Sequence, residues 1–219
     1  MNIVIIGPQG CGKGTQSSRL VKTRGLTHLS SSDILRHAIQ NNHSQAAEIR
    51  QAMDSCQLIP DSLMLELVQF RLCEEDVQNG WVLDGFPRTY PQAEGLIDLL
   101  QKIGQQIDLV IEMQLSRELC IARACKRLVC SQCNYTTSTC QAQVGDTCPQ
   151  CSECQLNHRN DDQLDVEGRL SDYHNKTIMA IGALGNLYPL VTVDADGTPD
   201  QVWTRILEVL NKHSGCMSG

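Results

Sequence analysis

The sequence predicts an α/β fold, a parallel sheet flanked by helices on both faces. Three observations support this. Short runs of β-branched and aliphatic residues alternate with longer amphipathic patterns along most of the chain, the order that gives a parallel sheet with helices packed on it. The first run, Asn2-Ile3-Val4-Ile5-Ile6, ends in a glycine-rich turn that opens a helical pattern, the context of a phosphate-binding loop. With 219 residues, 41% of them apolar, the chain is long enough to bury one substantial core.

The elements follow in order. The strand at 2–6 leads into a helix from Lys13 to about Arg24, and 33–54 and 62–78 read as further helices. Trp81-Val82-Leu83 is a short buried strand that ends at Asp84-Gly85. Residues 91–102 are helical, Leu109 to Met113 form a strand, and a helix at 116–127 leads into a cysteine-rich stretch. A helix resumes near 165–187, Leu190-Val191-Thr192-Val193 is the last strand, and 199–212 is the closing helix. Segment 130–162 breaks the alternation, being rich in Cys, Gln, Thr and Asn and poor in aliphatics. It cannot bury much core by itself and needs another source of folding energy.

The formal charge of -7 argues against general affinity for nucleic acid or acidic membranes. No run approaches the 18 or more apolar residues of a membrane-spanning helix. The N-terminus has no basic leader and runs straight into a strand, so a cytoplasmic protein is expected, with a monomer as the default.

Gly7-Pro8-Gln9-Gly10-Cys11-Gly12-Lys13-Gly14-Thr15 fits the pattern Gly-x4-Gly-Lys, with Gly14 where Ser or Thr is usual and Thr15 one place later. Glycines let backbone N–H groups converge on an anion, the next helix presents its positive end, and Lys13 adds a point charge. Gly10, Cys11, Gly12, Lys13, Gly14 and Thr15 are therefore candidate residues for the phosphates of a nucleoside triphosphate. Cys11 has two readings beside Lys13: a thiol with a lowered pKa, or a passive packing residue.

Of the twelve cysteines, six lie between Cys130 and Cys154. Cys130-x2-Cys133 and Cys148-x2-Cys151 form two knuckles 14 residues apart, close to the spacing of a four-thiolate zinc ribbon. A closed four-cysteine site makes the metal structural, and its binding would supply the missing folding energy. Cys151-x2-Cys154 is an overlapping knuckle and an alternative second pair, and His158 is a further alternative ligand. The Pro-containing Cys148-Pro149-Gln150-Cys151 favours the first assignment.

Asp84-Gly85-Phe86-Pro87-Arg88-Thr89 followed by Gln92, the Gly-Lys-Gly-Thr-Gln run at 12–16, Ser-Asp-Ile-Leu-Arg at 32–36, and Asp161-Asp162 just after Arg159 together resemble the adenylate kinase family over nearly the whole chain. The resemblance implies a P-loop nucleoside monophosphate kinase fold with two inserted mobile segments. The core would comprise 1–29, 60–126 and 165–219, with an AMP-binding segment at 30–59 and a zinc-ribbon lid at 127–164. It implies phosphoryl transfer from ATP to AMP giving two ADP, with magnesium carried by ATP.

Residue by residue, the resemblance places Lys13 and the loop amides on the ATP phosphates, and Thr15 and Asp84 on magnesium. Ser31, Arg36, Gln57, Ile59, Gly85 and Arg88 would line the AMP site, with Gln92 on its adenine. Arg123 would lie over the ATP adenine, and Arg127, Arg159 and Arg169 would close on the transferring group. The chemistry accounts for so many cations: the transition state is loose, with charge spread over phosphate oxygens, so catalysis is mostly positioning and electrostatics. Arginine suits this work because its planar fork binds phosphate oxygens bidentately. Two other readings compete: a kinase for UMP, CMP or GMP, disfavoured by the long cysteine-rich segment, and a zinc-ribbon nucleic-acid-binding ATPase. The second needs a basic ribbon with exposed aromatics, and the middle of this segment is neutral with only Tyr135.

Overall fold

The computed structural model describes the chain except residues 56, 134, 159–162 and 217–219, and leaves out the side chains of 163–164 and 214–216. The apolar run β1 (Asn2–Ile6) lies at the centre of a five-stranded sheet of order β2-β3-β1-β4-β8, formed with β2 (Thr27–Ser30), β3 (Trp81–Asp84), β4 (Leu109–Gln114) and β8 (Leu190–Asp194). Every pairing is parallel, and the register sets Ile5 opposite Asp84 on one side and Ile111 on the other.

Side-chain alternation divides the core between the two faces. Val4, Ile6, Leu83 and Val110 face one cluster, which takes in residues of α4 (Asp61–Leu72), α5 (Tyr90–Lys102) and α8 (Ile178–Gly185). Ile3, Ile5, Val82, Leu109 and Ile111 face the other, with α1 (Lys13–Arg24) and α9 (Pro199–Cys216). Near-continuous aliphatic strands are what a sheet covered on both faces requires. Two helix starts are legible in the sequence: the Thr89 hydroxyl accepts from the Gln92 N–H to begin α5, and the Ser116 hydroxyl accepts from the Leu119 N–H to begin α6 (Arg117–Cys125), each satisfying an orphan donor.

Several expectations need correction. The helix expected over 33–54 is two, α2 (Ser31–Gln40) and α3 (Ala46–Asp54), divided where Asn42 takes a left-handed φ of 54°. The helix expected over 62–78 ends at Leu72 and is followed by a 3-10 turn, Glu75–Val77. The strand β2 was not anticipated because Thr27-His28-Leu29-Ser30 buries only Leu29. The helix expected over 116–127 stops at Cys125, and Arg127 instead begins β5 (Arg127–Cys130). The last long helix contains a π turn, Tyr173–Thr177, between α7 (Gln163–Asp172) and α8.

The cysteine-rich segment forms a three-stranded antiparallel sheet, with β5 between β6 (Thr136–Ser138) and β7 (Leu156–His158). Its small core is Leu128, Cys130, Cys148 and Leu156. Two of those four are cysteines, in keeping with a segment too poor in aliphatics to hold itself together. Among the described residues, no helix is long and apolar enough to cross a membrane.

Candidate functional site

The loop after β1 turns at the C-terminal edge of the sheet, the usual position for ligands in open parallel sheets. Gly10 and Gly12 take φ of 88° and 90°, a region that side chains with a Cβ rarely adopt. At Gly10 there is also no room, since a Cβ there would meet the Cys120 carbonyl oxygen at 2.5 Å. Lys13 folds back over its own loop, donating from Nζ to the carbonyls of Gly7 at 2.7 Å and Pro8 at 3.0 Å. The cation is thus held at the mouth of the loop. Thr15 lies exposed in the first turn of α1.

Cys11 is buried, and burial pushes its thiol pKa up even though the nearby Lys13 ammonium works the other way. Of the two readings of Cys11, the structure supports packing and not an activated thiol. Cys120 is likewise buried and pushed up to about 11, again chiefly by burial.

Asp84 ends β3 beside this loop, 9% exposed. A Cβ on Gly14 would lie 3.8 Å from its Oδ2, so the carboxylate borders the start of α1. His28 Nε2 lies 3.4 Å from the same oxygen. His28 is therefore partly buried against a site residue.

Arg88 is fixed by three segments of chain. Its Nε donates to the Gly85 carbonyl at 2.8 Å, its guanidinium reaches the Ser31 hydroxyl at 3.2 Å, and its backbone N–H donates to Gln92 Oε1 at 2.8 Å. Its own carbonyl accepts from the Thr177 hydroxyl in the π turn at 3.1 Å. Ser31, Gln57, Ile59, Gly85, Arg88 and Gln92, distant in sequence, line one cavity. Leu35, Leu58, Met64 and Phe86 complete its apolar wall; as ordinary hydrophobic residues they carried no signal in the sequence. Arg36 does not line this cavity: one terminal nitrogen donates to Asp33 Oδ1 at 2.5 Å, while its buried Nε has no hydrogen-bond partner among the described residues.

Asp61 was also missed. Its Oδ1 accepts from Gln92 Nε2 at 2.8 Å. At the first position of α4 it reads in the sequence as an ordinary acidic helix start.

Arg123 and Arg169 are each tied to another part of the chain. Arg123 donates to the carbonyls of Ala195 and Gly197, at 2.9 and 3.1 Å, and so lies against the turn between β8 and α9. Arg169 on α7 donates to Gln9 Oε1 in the phosphate loop at 3.1 Å. Arg127 begins β5, partly buried. Arg159 and the Asp161-Asp162 pair lie outside the described residues.

In the small sheet the sulfurs of Cys130, Cys133, Cys148 and Cys151 all lie within 4.8 Å of one another. Cys154 Sγ instead donates to Gln132 Oε1 at 2.9 Å, and Cys140 is exposed. The Cys148 N–H donates to the Cys154 carbonyl at 2.7 Å, and Ser152 takes a left-handed φ of 59°. That tight turn carries the chain back past Cys151 and leaves Cys154 outside the sulfur cluster.

The fold and site define a P-loop α/β protein: a glycine cradle and a lysine at the edge of a parallel sheet, a second cavity built on an arginine, and a cysteine-clustered insertion. The adenylate kinase family model matches residues 5–185. Adenylate kinases from Lachnoclostridium phytofermentans (36% identical, covering 97% of this chain and 99% of the relative), Methanococcoides burtonii (34%, covering 97% and 100%) and Geobacter sp. strain M21 (34%, covering 96% and 99%) are similar over nearly their full lengths. The chain belongs to the adenylate kinase family.

Proposed function

We propose that this chain catalyses reversible phosphoryl transfer from magnesium-bound ATP to AMP, giving two ADP. The supporting observation is the juxtaposition of two built sites at one sheet edge: the loop carrying Lys13 after β1, and the cavity of Arg88 and Gln92 after β3, the neighbouring strand.

In this reading Lys13 and the amides from Gly10 to Thr15 hold the ATP phosphates, and Arg123 takes the ATP adenine. Arg36 and Arg88 hold the AMP phosphate, Gln92 reads its adenine, and Ser31, Gln57, Ile59 and Gly85 form the cavity wall. Arg127, Arg159 and Arg169 close on the transferring group. The protein's work is to bring two anions, together carrying about six negative charges, into line and to offset their repulsion with fixed cations.

Thr15 and Asp84 fit magnesium, offering hard oxygen donors where Asp84 borders the start of α1. When bound, that ion supplies positive charge to the phosphate oxygens. The Cys130, Cys133, Cys148 and Cys151 cluster fits zinc in a closed, structural site, four sulfur donors of the right type that all lie within 4.8 Å of one another. Residues 30–59 and 127–164 act as covers over AMP and ATP that exclude water, the competing acceptor, while 1–29, 60–126 and 165–219 form the core. The protein acts as a cytoplasmic monomer without nucleic-acid or membrane partners.

The test is a product assay with ATP and each of AMP, UMP, CMP and GMP. ADP formation with AMP far above the others is expected. Little turnover of AMP beside strong turnover of another monophosphate would overturn the reading.

A further inference from the structure

We propose that Asp61 determines acceptor-base specificity by fixing the side-chain amide of Gln92 in the orientation that pairs with a 6-aminopurine and mismatches a 6-oxopurine. This rests on the reading that the cavity receives AMP, and it adds a residue that is not part of the cavity wall.

A glutamine amide carries an acceptor oxygen and two N–H donors and can sit either way round. Here both ends are pinned. Gln92 Oε1 accepts from the Arg88 backbone N–H at 2.8 Å, and Nε2 donates to Asp61 Oδ1 at 2.8 Å. Turning the amide over would set its NH2 against the Arg88 N–H and its oxygen against an ionised carboxylate, which only accepts. Both contacts would become repulsive, and Gln92, 2% exposed, has little access to water to relieve them. Asp61 is itself held in place at the first position of α4, directly after Pro60. Its charge is favourable at a helix N-terminus.

One N–H of Nε2 and one lone pair of Oε1 remain for a ligand. An adenine edge presents a ring-nitrogen acceptor beside an exocyclic N–H donor and satisfies both. A 6-oxopurine presents a carbonyl acceptor beside a ring N–H donor, in reversed order. Only the opposite amide orientation would serve it, and Asp61 with the Arg88 N–H opposes that orientation. A polar site left mismatched discriminates far more strongly than a merely apolar pocket does.

The experiment measures kcat and KM for AMP, GMP and IMP at saturating ATP, for the wild-type protein and for Asp61→Ala, Asp61→Ser and Asp61→Asn. Melting temperatures are measured in parallel. Alanine removes the acceptor and serine is too short to reach, and the melting temperatures show which variants remain folded, so the ratio is read on a folded protein. In both variants KM for AMP is expected to rise about fivefold or more with kcat within about twofold, and the AMP-to-IMP ratio of kcat/KM to fall about tenfold. Asp61→Asn keeps an acceptor oxygen and is expected to hold the ratio within about threefold of wild type. An unchanged ratio in Asp61→Ala and Asp61→Ser overturns the inference, as does an equal loss for AMP and IMP, which a weakened helix alone would give. Wild-type protein that fails to phosphorylate AMP overturns the functional reading and the inference with it. Wild-type activity beside unchanged variant ratios overturns the inference alone.

Discussion

Arg169 on α7 donates to the side-chain oxygen of Gln9 in the phosphate loop at 3.1 Å, joining residues 160 positions apart. The helix that leaves the cysteine-bearing sheet is thereby moored on the loop that would hold ATP. Any movement of that helix would be felt at the loop, and the guanidinium already lies beside the place where phosphate charge would gather.

The first prediction concerns this pair. Arg169→Met is expected to lower kcat about a hundredfold, the scale of losing one preorganised cation from a charged transition state. Gln9→Ala is expected to cost less than about tenfold, because it removes a neutral acceptor and leaves the cation itself in place. Measured as a double-mutant cycle, the two losses should be less than additive. Full additivity would show that the contact plays no part in turnover.

Gly10 gives a stability prediction. Its φ of 88°, and a Cys120 carbonyl oxygen that a methyl group on Gly10 would approach to 2.5 Å, leave no place for a side chain. Gly10→Ala is expected to destabilise the fold by about 2 kcal/mol or more, read as a lower melting temperature, and to weaken ATP binding by displacing the loop. A variant melting with the wild type would mean that the backbone relaxes at little cost.

The sulfur cluster predicts metal content. Protein purified from zinc-supplemented cells is expected to carry about one zinc per chain. Cys148→Ser is expected to lose most of it and to become more protease-sensitive within 127–158, whereas Cys154→Ser, outside the cluster, retains it. The reverse pattern would move the site to the alternative knuckle. Because thiols must shed their protons to bind as thiolates, zinc should be released as pH falls.

Thiol reactivity follows from burial. Cys11 and Cys120 are buried, and burial raises both thiols, Cys120 to about 11. The thiolate is the reactive form, so at neutral pH both should alkylate far more slowly than the exposed Cys73, Cys125 and Cys140. The sign for stability follows as well: burying a neutral thiol contributes below the ordinary thiol range and is lost as pH rises through about 11. Peptide mass spectrometry over a time course measures the order of labelling. Early labelling of Cys11 would revive the activated-thiol reading.

Much of this protein was legible in its sequence. The central strand, the helix from Lys13 to Arg24 and the buried Trp81 strand stand in the structure at the positions expected. These depend on local causes: aliphatic runs that suit a sheet covered on both faces, and glycines at positions where φ is positive. β2 escaped because its single buried residue, Leu29, sits among polar neighbours. The break between α2 and α3 escaped because the helical pattern resumes soon after Asn42.

Tertiary structure alone decided which distant residues meet. Cys148 and Cys154 each form a knuckle with Cys151, and in the sequence only the adjacent Pro149 favours Cys148. The turn at Ser152 puts one sulfur inside the cluster and turns the other toward Gln132. Asp61 looks like any acid at a helix start, and only the packing of α4 against α5 brings it to Gln92. Periodicity and backbone freedom are properties of neighbouring residues and can be read along the chain. A hydrogen bond between residues 31 positions apart depends on the path of everything between them, so the fold decides it.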